Sequence, residues 1–277
     1  LADPPGLDIV RRALAEDRAR EDVTTRLLGD SAERPTTGTF IAEARCVVAG
    51  LPFVAAVFQE LEPAARVEAC VAEGAWAEPG AVLARAQARA ATLLAGERVA
   101  LNFLQRLTGV ATATRRAVEA VAGTAALITD TRKTTPGLRE LEKYAVHVGG
   151  GVNHRTSLAD TVLFKDNHWA MLGATPLAQA LARAPRGVPV IVEVETPEQL
   201  EAALAAGVTR ILVDNQPPER LAEWVRRAGP DVAIEASGGI TPETARAYAE
   251  AGAKFISLGS LTHSVTAAAI RFELEAR

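Results

Sequence analysis

Aromatic residues make up only 4% of this 277-residue chain, and it has two cysteines. So few aromatics leave little surface for stacked bases, which argues against single-stranded nucleic-acid binding. Two cysteines cannot build a disulfide framework, and neither Cys46 nor Cys70 stands at a metal-ligand spacing. Their surroundings, ARCVVAG and VEACVAE, are apolar strand-like stretches, so both are expected as buried free thiols. No apolar run reaches the roughly 18 residues of a membrane span, and no signal-peptide pattern opens the sequence. The expectation is a cytoplasmic protein with no membrane partner. A large excess of one charge is also missing, at a formal net charge of -4. That balance offers no general attraction to nucleic acid.

The chain does have enough length for a sizeable core, with room for one large domain and a smaller one. Its rhythm changes along the sequence. Short β-like segments (Thr39–Val48, Arg66–Ala72 and Ala81–Ala90) suggest a half-exposed antiparallel sheet, with a helix over Leu51–Leu61. A long helical stretch follows from Thr92 to about Ala122, with a break expected near Thr108-Gly109. Beyond it, apolar strands alternate with helices: Ala126–Asp130, Ala145–Gly149, Thr161–Lys165, Pro189–Val194, Arg210–Val213, Val232–Ala236 and Phe255–Leu258. Two of the helices open on Thr-Pro, at Thr196-Pro197 and Thr241-Pro242, a capping residue followed by a first-turn proline. Such alternation implies parallel strands covered by helices. The expected fold is α/β: an N-terminal α/β sandwich over residues 1–110 that includes the long connecting helix, then an α/β barrel over 111–277. The final residues are allowed to pack back on the N-terminal domain. The barrel is given about seven strands, fewer than the usual eight. A doubly wound open sheet is the alternative.

The richest segment is DTRKTTPGLRELEKYAVHVGGGVNHRTSLADTVLFKDNHW, Asp130 to Trp169. It holds Arg132, Lys133, Arg139, Lys143, Arg155 and Lys165 with three of the chain's four histidines. A cluster of cations inside a mildly acidic chain suits a small anion. A solvated charged face, paired with Glu140, Glu142, Asp160 and Asp166, is the plain alternative. Chemistry recurs at each expected strand end, where barrels carry their sites. In EASGGI, Ser237, Gly238 and Gly239 can bring backbone amides against a phosphate at a helix N-terminus. Gly259 and Ser260 offer a second set. Glu193 and Glu195 are two apart, so both face one side of a strand. With Asp214 they form an inward acid group suited to Mg²⁺, or to pairing with Lys133 and Lys165.

These residues fall within longer stretches: EDVTT at Glu21–Thr25, ERVALNFLQRLTGVAT at Glu97–Thr112, the DTRKTTPGLR and GGGVNHR blocks, FKDNH, EVE, VDN, EASGGI and SLGSLTHS. In these the chain resembles the quinolinate phosphoribosyltransferases, the carboxylating nicotinate-nucleotide pyrophosphorylases, over nearly its whole length. The resemblance implies an enzyme that takes quinolinate and 5-phosphoribosyl 1-pyrophosphate with Mg²⁺. Such an enzyme yields nicotinate mononucleotide, pyrophosphate and CO₂ for NAD biosynthesis. It also implies a homodimer or homohexamer in which the N-terminal domain of one subunit covers the barrel mouth of another. By the same resemblance Arg98, Arg132, His154, Arg155 and Lys165 bind quinolinate, with Arg98 reaching across the interface. Lys133, Lys165, Asp166, Glu193, Asp214, Ser237, Gly238, Gly239, Gly259 and Ser260 take the phosphoribosyl pyrophosphate. Lys133, Glu193 and Asp214 carry the catalytic roles. Mg²⁺ is held mainly through substrate, with Glu193 and Asp214 as its protein contacts and Glu195 the competing acid. A Schiff-base aldolase using Lys133 or Lys165 is the rival enzyme reading, and a non-catalytic relative associated with molybdenum transport is the rival of another class.

Overall fold

A computed structural model describes Gly6 and residues 8–275; the extreme ends of the expected two-domain division lie outside the described residues. Contacts divide the chain into one unit of Leu1–Arg115, Glu140–Gly150 and Val265–Arg277, and a second of Arg116–Arg139 and Gly151–Ser264.

The first unit is built on antiparallel strands β1 (Pro35–Ala42), β2 (Cys46–Val47), β3 (Arg66–Ala69), β4 (Trp76–Ala77) and β5 (Val82–Arg89). In β5 Leu83, Ala84, Ala86 and Ala88 are buried while Arg85, Gln87 and Arg89 face water. That alternation is the half-exposed pattern read from sequence. Helix Leu51–Leu61 buries Phe53, Val54, Val57 and Phe58. Cys46 is buried as expected, but Cys70 is exposed. The strand before it, β3, lies at the edge of its sheet and is largely exposed, so apolar neighbours in sequence did not mean cover.

Two other expectations are overturned here. The long helix runs unbroken from Ala90 to Ala120. Gly109 is present for close packing: a Cβ there would sit 2.3 Å from the Thr266 carbonyl oxygen. Thr108 beside it exchanges hydrogen bonds with the backbone of Ala49. The run Ala145–Gly149, taken as a strand, is instead the last turn of helix Arg139–Val148 and the turn residue after it. Leu141, Ala145 and Val148 share one buried face at helical spacing. A short apolar run alone does not separate the two structures.

The second unit carries a parallel sheet of β6 (Leu127–Thr129), β7 (Val162–Phe164), β8 (Val190–Val194), β9 (Arg210–Asp214), β10 (Ala233–Ser237) and β11 (Phe255–Ser257). Its order is β6-β11-β10-β9-β8-β7, and Val152 adds a parallel bridge to Thr129 on β6. Buried Ile128, Ile191, Val192, Ile211, Leu212, Ile234 and Ile256 give the nearly continuous apolar strands that a sheet covered on both faces requires. Helices Pro197–Ala205 and Pro242–Glu250 begin at capping boxes on Thr196 and Thr241, as the Thr-Pro pairs indicate. A last strand, β12 (Ile270–Leu274), returns to the first unit and pairs antiparallel with β1, setting Phe272 against Phe40 with ring centroids 4.8 Å apart. Among the described residues no helix is long and apolar enough to cross a membrane.

Candidate active site

Parallel register lines up the C-terminal ends of the central strands. Ser237 pairs with Asp214 and Val213 with Val194, so the side chains leaving these ends meet over one cavity. The cavity, of about 430 Å³, is in the size range of small-molecule sites.

One wall is cationic. Arg132 and Lys133 follow β6, His154 and Arg155 follow the Val152 bridge, and Lys165 closes β7 as the N-cap of helix Asp166–Leu172. The loops are held from below. Wholly buried Asp130 accepts the His154 N–H at 2.8 Å. Arg139 ties the two loops together, donating through Nε to the Thr134 hydroxyl at 3.0 Å and through Nη1 to the Thr156 carbonyl at 2.9 Å. Asp160 accepts from Thr156 and Ser157, and the Thr156 hydroxyl holds its carboxyl below the usual range.

The cations themselves are uncomfortable. Burial, and then the neighbouring Arg132 guanidinium, push the Arg155 pKa down. Arg155 anchors only one edge, with Nη1 donating to the Thr161 carbonyl at 3.1 Å. Arg132 Nε is shut away from solvent without a hydrogen-bond partner. Two guanidiniums gathered with unused donors make a receptor for planar carboxylates.

The next two strand ends are acidic. Glu193 ends β8 half-buried; burial first and Asp214 second push its carboxyl up to about 7, with Lys165 opposing the shift. Carboxylate oxygens of Glu193, Glu195 and Asp214 come within 4.8 Å of one another. Glu195 lies just past the strand and is exposed, so the two glutamates do not share one interior environment as their spacing had implied. Repelling carboxylates on neighbouring strand ends suit a hard divalent cation. Residues and charge fit Mg²⁺, with Glu193, Asp214 and Glu195 as the available oxygens.

Ser237 ends β10 and lines the same cavity. Gly238 follows at φ +96°, and a Cβ there would fall 2.2 Å from the Asn215 side chain. Only glycine lets this turn approach the β9 end, where the Asn215 N–H reaches the Ser237 carbonyl at 3.0 Å. Gly259 lies beside the Lys133 chain and the His263 ring, and Ser260 begins the one-turn helix Ser260–His263. Thr262 fixes the same loop by donating to the Lys133 carbonyl at 2.7 Å.

The cavity thus brings together Arg132, Lys133, His154, Arg155, Lys165, Asp166, Glu193, Asp214 and Ser237. Gly238 and Gly239 continue the Ser237 loop, while Gly259 and Ser260 flank Lys133 without lining the cavity. Arg98 belongs to the first unit, where its side chain is exposed on helix Ala90–Ala120. Sequence reasoning missed Thr131, Leu163, Leu212, Glu235 and Ser257 as lining residues. The leucines read as plain core. Glu235 carried a usable signal: it stands two residues before Ser237, hence on the same side of its strand.

Comparisons with known proteins agree over both units. The quinolinate phosphoribosyl transferase C-terminal domain model matches residues 110–273, and the N-terminal domain model of that family matches residues 22–108. The chain is 43% identical over 265 residues to the nicotinate-nucleotide pyrophosphorylase [carboxylating] of Mycobacterium leprae, covering 93% of each protein. It is 42% identical over 252 residues to the probable enzyme of the same name from Bacillus subtilis, covering 90% of this chain and 86% of that protein. It is also similar to the crystal structure of NadC from Streptococcus pyogenes, at a TM-score of 0.91 and 37% identity over 97% of this chain and 95% of that one.

Proposed function

The chain belongs to the quinolinate phosphoribosyltransferase family, and from that premise we propose that it joins quinolinate to 5-phosphoribosyl 1-pyrophosphate. Nicotinate mononucleotide, pyrophosphate and CO₂ leave, a step of NAD biosynthesis. The observation that carries the assignment is the two pairs of like charges gathered in one cavity, Arg132 beside Arg155 and Glu193 beside Asp214, with the Arg132 Nε buried and unpartnered. A dicarboxylate relieves the first pair, and a cation or cation-like ribosyl centre relieves the second.

In this reading Arg132, Arg155 and Lys165 grip the adjacent carboxylates of quinolinate, with His154 beside them and Arg98 arriving from a neighbouring subunit of a homodimer or homohexamer. Lys133, Asp166, the Ser237-Gly238-Gly239 turn and the Gly259-Ser260 turn receive the phosphoribosyl pyrophosphate. Glu193 and Asp214 would hold Mg²⁺, which would supply charge neutralisation for the departing pyrophosphate. The ring nitrogen attacks the anomeric carbon as the bond to pyrophosphate oxygen breaks. Glu193 and Asp214 stabilise the positive charge that develops on the ribosyl group. The ring is then cationic, so the 2-carboxylate leaves as CO₂ and its electron pair remains at C2, where a proton is added. Lys133 and Lys165 are the nearby cations that steady that pair. Positioning and electrostatics do most of the work.

We read the six strands with Val152 as a barrel of about seven strands, and the protein as cytoplasmic. Incubation with quinolinate, 5-phosphoribosyl 1-pyrophosphate and Mg²⁺ should release equal amounts of pyrophosphate and nicotinate mononucleotide. Absence of both products would overturn the assignment, and a borohydride-stable lysine adduct would favour the aldolase alternative.

A further inference from the structure

Glu235 lies within β10 with no exposed surface. Its Oε2 receives Arg210 twice, from Nε at 2.9 Å and Nη2 at 2.7 Å. Arg210 is itself held over the Phe255 ring, 3.9 Å from its centroid, and Phe255 pairs with Glu235 across the sheet. The Oε1 atom accepts the Ser257 hydroxyl and faces His154 Nε2 at 3.5 Å. His154 is constrained on its other side too, because Nδ1 accepts the Arg155 N–H at 2.8 Å. A nitrogen that accepts carries no proton, which places the ring proton on Nε2, toward Glu235. Neither ring nitrogen is spare for a substrate.

We propose that Glu235 is a positioning residue for the reaction. It fixes the tautomer and ring of His154, and through the Nδ1 bond it fixes the backbone from which Arg155 enters the cavity. The charge on Glu235 is matched from the far side by Arg210, so the carboxylate stays an acceptor for both Ser257 and His154. The inference rests on the reading of this cavity as the quinolinate site, and it assigns His154 to orientation rather than to a direct hydrogen bond with substrate.

Glu235→Gln in the whole enzyme tests it. The substitution keeps the shape but points an amide donor at one of the groups that now donate. Displacing Arg155 by a fraction of an ångström should raise the KM for quinolinate about tenfold or more, with the KM for 5-phosphoribosyl 1-pyrophosphate little changed. A folded variant with an unaltered quinolinate KM would overturn the proposal. Nitrogen-15 spectra of the wild-type protein give an independent readout: His154, assigned by its loss in His154→Gln, should show the proton on Nε2. A proton on Nδ1 would overturn the proposal even if Glu235→Gln fails to fold. Failure of the wild-type protein to turn over quinolinate would count against the assigned reaction and leave the tautomer result standing.

Discussion

In the first unit Glu142 has no exposed surface and receives Arg106 through Nε at 3.1 Å and Nη2 at 2.6 Å, while Glu73 takes the N–H groups of Gly50 and Leu51 and the Tyr144 hydroxyl. In the cavity of the second unit, Arg132 adds to the cost of charge on Arg155, and Asp214 to that on Glu193. Both regions remove charge from water, but Glu142 is paired with a guanidinium on the spot, and Glu73, though burial pushes its carboxyl up, is ringed by donors. Buried charge that is locally satisfied holds the fold together. Like charges kept side by side cost stability and are maintained by the scaffold, which is the signature of a site awaiting a ligand. Glu235 shows the same contrast inside the second unit: burial raises its pKa, but His154, Arg210 and Ser257 together bring it below the usual carboxylate range.

Substitution can break this comparison. Arg155→Met should lower turnover by about 10²- to 10³-fold, the effect of removing one substrate-stabilising donor. Its unfolding free energy in urea should be equal to or above that of the wild type, since the substitution relieves Arg132. A clear loss of stability would place Arg155 with the structural charges instead. Arg106→Met is the converse. It strips Glu142 of a guanidinium and should cost about 3 kcal/mol in the same urea titration. An unchanged unfolding midpoint would show that Glu142 is not held by this pair.

The sequence made much of this arrangement legible, and unevenly so. Strands β7 to β11 were readable because covered parallel strands are runs of branched apolar residues, and those of β7 to β10 ended in a polar group that lines the cavity. Thr196 and Thr241 announced their helices through a local hydrogen-bond rule. Ala145–Gly149 was misread because so short a run carries no period, and the buried face shared by Leu141, Ala145 and Val148 shows only over the whole helix. Cys70 was misread because exposure depends on where β3 lies in the sheet, which is set by pairing distant in sequence. Glu235 was passed over for a different reason. Its function depends on Arg210, Ser257 and His154, which meet only when three strand ends and a loop are in place. Pairwise chemistry within one motif is visible in a sequence; a network drawn from four segments is not.

Arg98 sharpens the contrast from the side of the first unit, where the buried Glu142 is paired with Arg106. It is exposed, and its nearest acid, the adjacent Glu97, is 3.8 Å away, a weak surface contact. If it completes the quinolinate site of another subunit, Arg98→Ala and Arg132→Ala should each be nearly inactive. Mixing the two under conditions that exchange subunits should then restore a fraction of wild-type turnover, because one site of each hybrid carries both arginines. No recovery, with exchange verified by mass spectrometry, would confine Arg98 to its own subunit.

The smallest effect expected is also the most direct measure of unrelieved charge. Glu193, pushed up to about 7 by burial and then by Asp214, should titrate near neutrality in carbon-13 spectra of the ligand-free protein. Asp214→Asn removes the second cause and leaves the first, so the midpoint should fall without reaching the ordinary carboxylate value. The consequence for stability has a definite sign. A carboxyl whose pKa is raised by folding favours the folded state while protonated. Its contribution is complete below the unfolded value of 4.5 and is lost as pH climbs through about 7. Glu193→Gln should therefore gain stability relative to wild type across that interval and hold the gain above it. Turnover of the wild type should fall below pH 7 as the acid becomes neutral. A Glu193 that titrates at the ordinary value, with no pH-dependent gap between wild type and Glu193→Gln, would mean that the acids of the cavity are as settled as those of the first unit.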